Sequence, residues 1–481
     1  MYLGIDIGTS GVKAILMDSA GEVVAQATTS LPISRPQPLW SEQDPHDWWR
    51  ATHAAIDRLP ETLRSGVEAI GLAGQMHGAT LLDAADTPIR PAILWNDGRS
   101  ADACIALEQD VPELHQITGN LAMPGFTAPK LRWVRTYEPD AFAKVAKVLL
   151  PKDYVRLLMT GEYASDVSDA AGTLWLDVGK RGWSDAMLGA TGLSRNQMPK
   201  LYEGSEITGF LSTSVANDWG VPAGTPVVGG GGDNAAGAVG VGVFGKGDAF
   251  LSLGTSGVLF SGDETYRPNA SSGVHTFCHA LPGRWHQMAV MLSAASCVDW
   301  VANLVGARDA GALIEQTEQA DLFGQSKTLF LPYLSGERTP HNNPYALGAF
   351  FGLNHDSAAA TLGQAVLEGV ALGFADGLDV LGASADINAI SVIGGGSRSA
   401  YWGRILAAAL NRPLVYRKHA DVGPALGAAR LAQMGAEGQS APAFDAPSVE
   451  YAIEPRADDV AFMANQLHRY RQFYQSTKDL V

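Results

Sequence analysis

Charge is scarce in this chain of 481 residues: Asp, Glu, Lys and Arg make up only 17% of it, while apolar residues reach 46%. That balance excludes a disordered polymer and leaves ample material for buried cores, at a length expected to hold two to four domains by the usual prior of roughly 100 to 200 residues each. Basic residues are the scarcer sign, 34 against 50 acidic ones, so the formal charge is −16. A surface of that sign repels phosphate backbones and anionic lipid, and no basic patch interrupts it, so neither nucleic acid nor membrane is an expected partner. Long hydrophobic runs are missing too. The longest uncharged stretches, such as 268–283 and 339–355, fall short of a membrane span and are broken by Gly, Pro and His, while Asp6 interrupts the N-terminus before a signal-peptide core could form. A cytoplasmic location is the expectation. Three cysteines, Cys104, Cys278 and Cys297, with no C-x-x-C spacing, exclude a disulfide framework and a zinc site and read as small buried residues.

Glycine is what the chain has in excess: 54 residues, clustered at 229–232, 237–247, 252–257 and 394–396. Clustering of this kind suggests backbone brought close to a ligand. Short apolar runs at 1–6, 12–17 and 22–27 predict an antiparallel meander, and Asp44-Pro45 offers a cap and first-turn proline for a helix ahead of a strand at 69–73. Most telling is an internal repeat, because Gly-Thr-Ser-Gly-Val at 8–12 recurs letter for letter at 254–258, each copy between two short apolar strands. Two related halves follow, 1–245 and 246–481. The second half adds apolar runs at 328–331 and 389–393, helices at 357–382, 398–411 and 423–435, each long enough to pack on a sheet, and a terminal helix at 457–477.

A turn of Gly, Thr and Ser points several N–H groups and hydroxyls at one place, where they can cradle phosphate oxygens. Two such turns, Gly8, Thr9 and Ser10 with Gly254, Thr255 and Ser256, would grip a polyphosphate between them. Asp6, at the end of the strand before the first turn, suits Mg²⁺, which prefers carboxylate plus substrate phosphate to an all-protein cage; Lys13 can add a point charge near the terminal phosphate. Without the repeat, a solvated strand end and a surface lysine would be the simpler readings. Asp233 follows four glycines and precedes Asn234 and a small-residue helix, which suits a helix N-cap or, in phosphoryl transfer to an alcohol, the base that accepts the hydroxyl proton. Met76 and His77 follow the strand at 70–73, at the strand end where open α/β sheets bind ligands, although a lone histidine is often only a satisfied loop residue. Trp95, Asp97 and Arg99 can stack against and hydrogen-bond a polyhydroxylated ligand, or equally form a fold-stabilising ion pair under a tryptophan. Gly395 and Gly396, after the strand at 389–393, form a third place where backbone can approach a ligand, here adenine or ribose.

Taken together, the segments 6–10, 74–78, 95–99, 130–133, 231–234, 252–257, 335–340 and 394–397 resemble, in the same order, those of the FGGY carbohydrate kinases, relatives of actin, hexokinase and the chaperone ATPases. The resemblance implies an α/β protein of two RNase-H-like domains flanking a deep cleft, with sugar bound mainly by residues 1–245 and ATP with Mg²⁺ mainly by 246–481. It implies Asp233 as general base, Asp6 and Asp233 near the metal, Met76 and His77 on the sugar, and a homodimer as a common assembly. Within the family the likeness is greatest to bacterial members acting on ketopentoses, D-xylulose above all, through 41–45, 75–78, 277–280 and 336–341. Glycerol-specific members carry Arg-Glu at the positions of Met76-His77 and Arg at that of Lys13, which disfavours glycerol and a bidentate phosphate grip at 13. Kinases for ribulose or a deoxyketose stay open as alternatives, as does a nucleotide-switch ATPase of the actin or chaperone kind.

Overall fold

The computed structural model describes residues 1–382, 384–418 and 423–480. Two seven-stranded sheets organise it, and five strands of each share one order and direction. In the first half, β1 (Tyr2–Ile7), β2 (Gly11–Met17) and β3 (Val23–Ser30) form the antiparallel meander, β4 (Ala69–Gly74), β5 (Ile207–Phe210) and β6 (Pro226–Val228) extend it in the order β5-β6-β4-β1-β2-β3, and the seventh strand, the short Gly231–Gly232, pairs with β4 off this path. In the second half, β7 (Asp248–Leu253), β8 (Gly257–Asp263), β9 (His275–Cys278), β10 (Trp285–Met291), β11 (Ala389–Ile393), β12 (Leu414–Arg417) and β13 (Val449–Ile453) take the order β9-β10-β8-β7-β11-β12-β13. In both sheets, the strand before the Gly-Thr-Ser-Gly turn pairs antiparallel with the strand after it and parallel with a later strand. The repeated pentapeptide therefore marks a repeated fold.

The expected elements form with small shifts. The helix begun by Asp44-Pro45 is α1 (Pro45–Asp57), whose cap is the Asp44 carboxylate accepting from the His46 N–H at 2.9 Å. The expectation at 328–331 becomes Leu329–Leu331, which pairs with Ala349–Phe351 in a separate two-stranded sheet. Helices α3 (Ala359–Asp379), α4 (Ala400–Leu410) and α6 (Ala457–Thr477) share the second half's main core through Val370, Phe374, Ile405 and Tyr470. All three cysteines are buried and free. No described helix is long and apolar enough to cross a membrane.

One helix packs where its place in the chain gives no hint. Helix α5 (Gly423–Ala436) belongs to the second half, yet it lies on the first sheet and beside α2 (Asp233–Val241). Its backbone comes so close that a methyl group at Gly4 would sit 2.0 Å from the Ala425 carbonyl oxygen, and one at Gly71 1.9 Å from that of Ala428. Between the two helices, a methyl group on Gly427 would meet the Ala236 carbonyl oxygen at 1.7 Å. Only glycine permits this approach, so backbone packs on backbone with no side chain between.

Candidate active site

Both glycine turns stand at the carboxyl ends of parallel strands, the edge where open α/β sheets build sites. Register places Asp6 and Gly231 on either side of Ala73, each one strand away, so at about 4.8 Å per strand their backbones are about 10 Å apart. Asp233 opens α2 two residues later, with Gly232 as the capping position. The Asp233 carboxylate does not cap the helix. Its Oδ1 accepts from the Asn234 N–H at 2.7 Å and the Asn234 side-chain amide at 2.9 Å, and Oδ2 accepts no bond within the protein among the described residues. Burial raises this carboxyl to about 6, against the opposing effect of the Asn234 bonds. It is thus ionised at neutral pH but basic enough to take a proton.

Asp6 is raised further, to about 7, by burial and then by the charge of Asp233, with Lys13 opposing. Its Oδ1 is buried and has no hydrogen-bond partner. Two acids facing each other, one with an orphaned oxygen, are a site short of positive charge, and a hard cation would supply it. Among the described residues no group of three or more His, Cys, Asp or Glu converges. Two carboxylates, one with an orphaned oxygen, fit Mg²⁺ completed by phosphate oxygens and water. Lys13 is the cross-strand partner of Asp6 and is itself engaged.

Hydrogen bonds tie the first turn to the neighbouring strands. The Trp95 indole N–H donates to the Thr9 hydroxyl at 2.9 Å, which donates to the Gln75 side chain at 3.0 Å. Gln75 donates on to Gln43 at 2.8 Å, and Gln43 returns to the Thr9 carbonyl at 2.7 Å. In the second turn, the Thr255 carbonyl accepts from the Ala294 N–H at 2.9 Å and the Ser296 hydroxyl at 2.7 Å. A cavity of about 720 Å³ brings Gly254 and Thr255 together with Gly395 and Gly396, against Val298, Ile314 and Tyr401. An apolar wall facing a glycine floor suits a purine and its ribose.

In a second place, His77, Trp95, Met123 and Phe126 of the first half meet His275 and Arg338 of the second around a narrow space. The His77 Nδ1 lies 2.5 Å from the Gly172 carbonyl; a carbonyl can only accept, so Nδ1 carries the proton and Nε2 is left as an acceptor. Burial lowers this imidazole to about 3, which keeps it neutral. The backbone of His77 has φ +69°, and Lys130 at 2.8 Å and Thr127 at 3.1 Å bond its carbonyl and hold that conformation. Met76 is buried against Gly232, where an added methyl group would meet its sulfur at 2.9 Å. Trp95 remains 39% exposed. Asp97 and Arg99 are not gathered here. Arg99 lies 3.5 Å above the Trp40 ring and pairs with Asp97 at 2.6 Å and Glu42 at 2.7 Å, the three charged side chains buried. Of the two readings open for that pair, these contacts describe the fold-stabilising one.

Arg338 reaches the space beside His77 from a loop fastened by Glu337. The Glu337 Oε1 accepts from the N–H groups of Leu292 and Arg338, while Oε2 is buried without a partner. Burial raises this carboxyl from an ordinary 4.5 to about 8. The folded state therefore keeps a proton that the unfolded chain releases. The stability this gives is complete below pH 4.5 and is lost as pH climbs through 8. Glu337→Gln is expected to melt at a higher temperature than the parent at pH 9, by the equivalent of roughly 2–3 kcal/mol, with the gap vanishing near pH 5. A gap that does not change with pH would contradict the assignment.

A buried ionic cluster beneath the site had no counterpart in the sequence reading. Lys152 contacts Asp153 at 2.6 Å, Asp166 at 2.8 Å and Asp169 at 3.3 Å, with Arg156 beside them and no solvent access. Burial opposes the Lys152 charge, but the three aspartates outweigh it and hold the ammonium above its usual range. Burial lifts Asp169 well above the carboxylate range, against the opposing charge of Lys152. Arg156 donates to the carbonyls of Val228 and Gly229 at 2.5 and 2.6 Å, and Ser168, itself bonded to Asp166, accepts from the Gly232 N–H at 3.2 Å. The glycine run that delivers Asp233 is anchored to this cluster. Gly230 within it has φ +72°, which an L side chain rarely adopts.

Residues 1–240 match the N-terminal domain of the FGGY family of carbohydrate kinases, and residues 249–436 match its C-terminal domain. The chain is 56% identical to the xylulose kinase of Escherichia coli (strain K12) and 55% to that of Klebsiella pneumoniae, each alignment covering 100% of both chains. A crystal structure titled as a xyloylose kinase from Brucella ovis superposes with a TM-score of 0.94 at 48% identity, again over 100% of both chains. With both family domains matched and full-length relatives at this identity, the chain belongs to the FGGY family of carbohydrate kinases and is a sugar kinase.

Proposed function

We propose that the enzyme transfers the γ-phosphoryl group of ATP to D-xylulose, giving D-xylulose 5-phosphate and ADP. The observation that carries this reading is the Asp233 carboxylate, raised to about 6 by burial and bonded through Oδ1 alone, near enough to Asp6 to raise it in turn and preceded by Gly232, on which Met76 packs. Its Oδ2 takes the proton of the terminal sugar hydroxyl as that oxygen bonds to the γ-phosphorus and the bond to the β-bridging oxygen breaks. Met76, His77, Trp95 and Asn234 orient the sugar, and the neutral Nε2 of His77 accepts from one of its hydroxyls. Gly8, Thr9 and Ser10 face Gly254, Thr255 and Ser256 across the phosphates, and Gly395 and Gly396 underlie the nucleoside. Asp6 and Asp233 would hold Mg²⁺, which neutralises phosphate charge when bound. Residues 1–245 thus serve as the sugar domain and 246–481 as the nucleotide domain, in a cytoplasmic enzyme that assembles as a homodimer. Full-length likeness to relatives named xylulose kinase supports the choice of sugar.

Coupled detection of ADP release, across a panel of pentuloses, hexuloses and polyols at equal concentration, tests the reading. D-xylulose is expected to give the largest kcat/KM, with ribulose and deoxyketoses well below it, because a pocket built to bond one hydroxyl rejects analogues that point it the other way or lack it. Preference for another member of the panel would reassign the substrate. Stimulation by a protein alone would move the chain to the nucleotide switches.

A further inference from the structure

Away from the crevice, a polar cavity of about 350 Å³ lies between the turn at 19–22 in the first half and α5 with the segment at 439–448 in the second. Arg430, in its wall, is only 4% exposed. Its guanidinium gives one bond, from Nη1 to the Val239 carbonyl at 3.1 Å, and lies 4.7 Å from the Phe444 ring. Its Nε is buried with no partner, and no acid pairs with it among the described residues. The surroundings deepen the deficit: burial and the nearby Arg417 pull this guanidinium down to about 10. Lys418, exposed at the rim, is a second cation.

The acids nearby do not answer Arg430. Glu437 accepts from Tyr2, Gln433 and Gln439, Glu22 has its own partner, and Asp445 is exposed to solvent. A buried guanidinium without an anion is a costly arrangement that an oxyanion relieves, and its planar fork matches carboxylate and phosphate oxygens. We propose that this cavity binds a compact oxyanion, a phosphate or carboxylate group, with Arg430 and Lys418 as its cationic contacts. Both halves contribute walls, and Gln433 already bonds the Ser19 carbonyl across the gap at 3.4 Å. An occupied cavity therefore favours the arrangement that keeps the turn at 19–22 against α5, which makes the site regulatory in character.

Titration of the full chain with inorganic phosphate, and separately with acetate, followed by calorimetry and thermal unfolding, tests this. The expected result is saturable binding with a rise in Tm. Arg430→Met should weaken it at least about tenfold, and Lys418→Met by less, with the KM values for ATP and sugar unchanged in Lys418→Met. A response to phosphate alone identifies a phosphate site, to acetate alone a carboxylate site, and to both a general oxyanion site; each supports the proposal. If Arg430→Met does not fold, the exposed Lys418→Met change carries the test. No saturable response to either anion, or a response undiminished in the variants, overturns it.

Discussion

Asp233→Asn is expected to lower kcat for sugar phosphorylation by about 10²–10⁴-fold, the usual worth of a positioned general base. The substitution preserves shape and leaves the glycine turns and the 720 Å³ cavity intact, so the affinity for ATP measured without Mg²⁺ should change little. What disappears is the group whose carboxyl sits at about 6 and whose Oδ2 is open to an incoming hydroxyl. Steady-state kinetics with both substrates varied, together with nucleotide binding measured by calorimetry, separates the two effects. A variant turning over at the parental rate would remove Asp233 from the mechanism, and one that lost nucleotide binding in proportion would make it a structural residue.

Lys152→Met should be the most destabilising single change in the first half, by about 3–5 kcal/mol, because it leaves the aspartates it contacts buried without their main cation. Denaturant unfolding reads the loss directly. The double variant Lys152→Met with Asp166→Asn should recover part of it, since one stranded charge is removed with the lysine. Because Arg156 and Ser168 of the same cluster hold Val228, Gly229 and Gly232, any folded Lys152 variant should also lose kcat more than sugar affinity, as Asp233 is delivered less accurately. Wild-type stability in Lys152→Met would refute the cluster's role.

The duplicated architecture was legible because it is written in local chemistry. A tight phosphate turn needs small residues whatever surrounds it, so the two copies of Gly-Thr-Ser-Gly-Val announced two sheets of matching topology. Asp233 and His77 stood out as candidates for a similar reason: each follows a strand, Asp233 behind four glycines and His77 between Gly74 and Gly78. Asp97 and Arg99 had two readings because their spacing serves both, and only Trp40, from a distant part of the chain, distinguishes them. The Lys152 cluster was illegible because charged residues are ordinarily solvated; tertiary packing, not spacing, decides that these five meet in the interior. The packing of α5 was hidden in the same way. Its apolar pattern predicts a helix and its glycines predict close approach, but neither says whose sheet it approaches.

That helix carries a consequence for how the gene could be cut. Since α5 shields Gly4 and Gly71 of the opposite half, a fragment ending at 245 would forfeit the lid over its own sheet and present bare backbone and small apolar side chains to water. The two related halves are interleaved modules, each finished by a piece of the other, and neither could be transplanted as a self-sufficient unit.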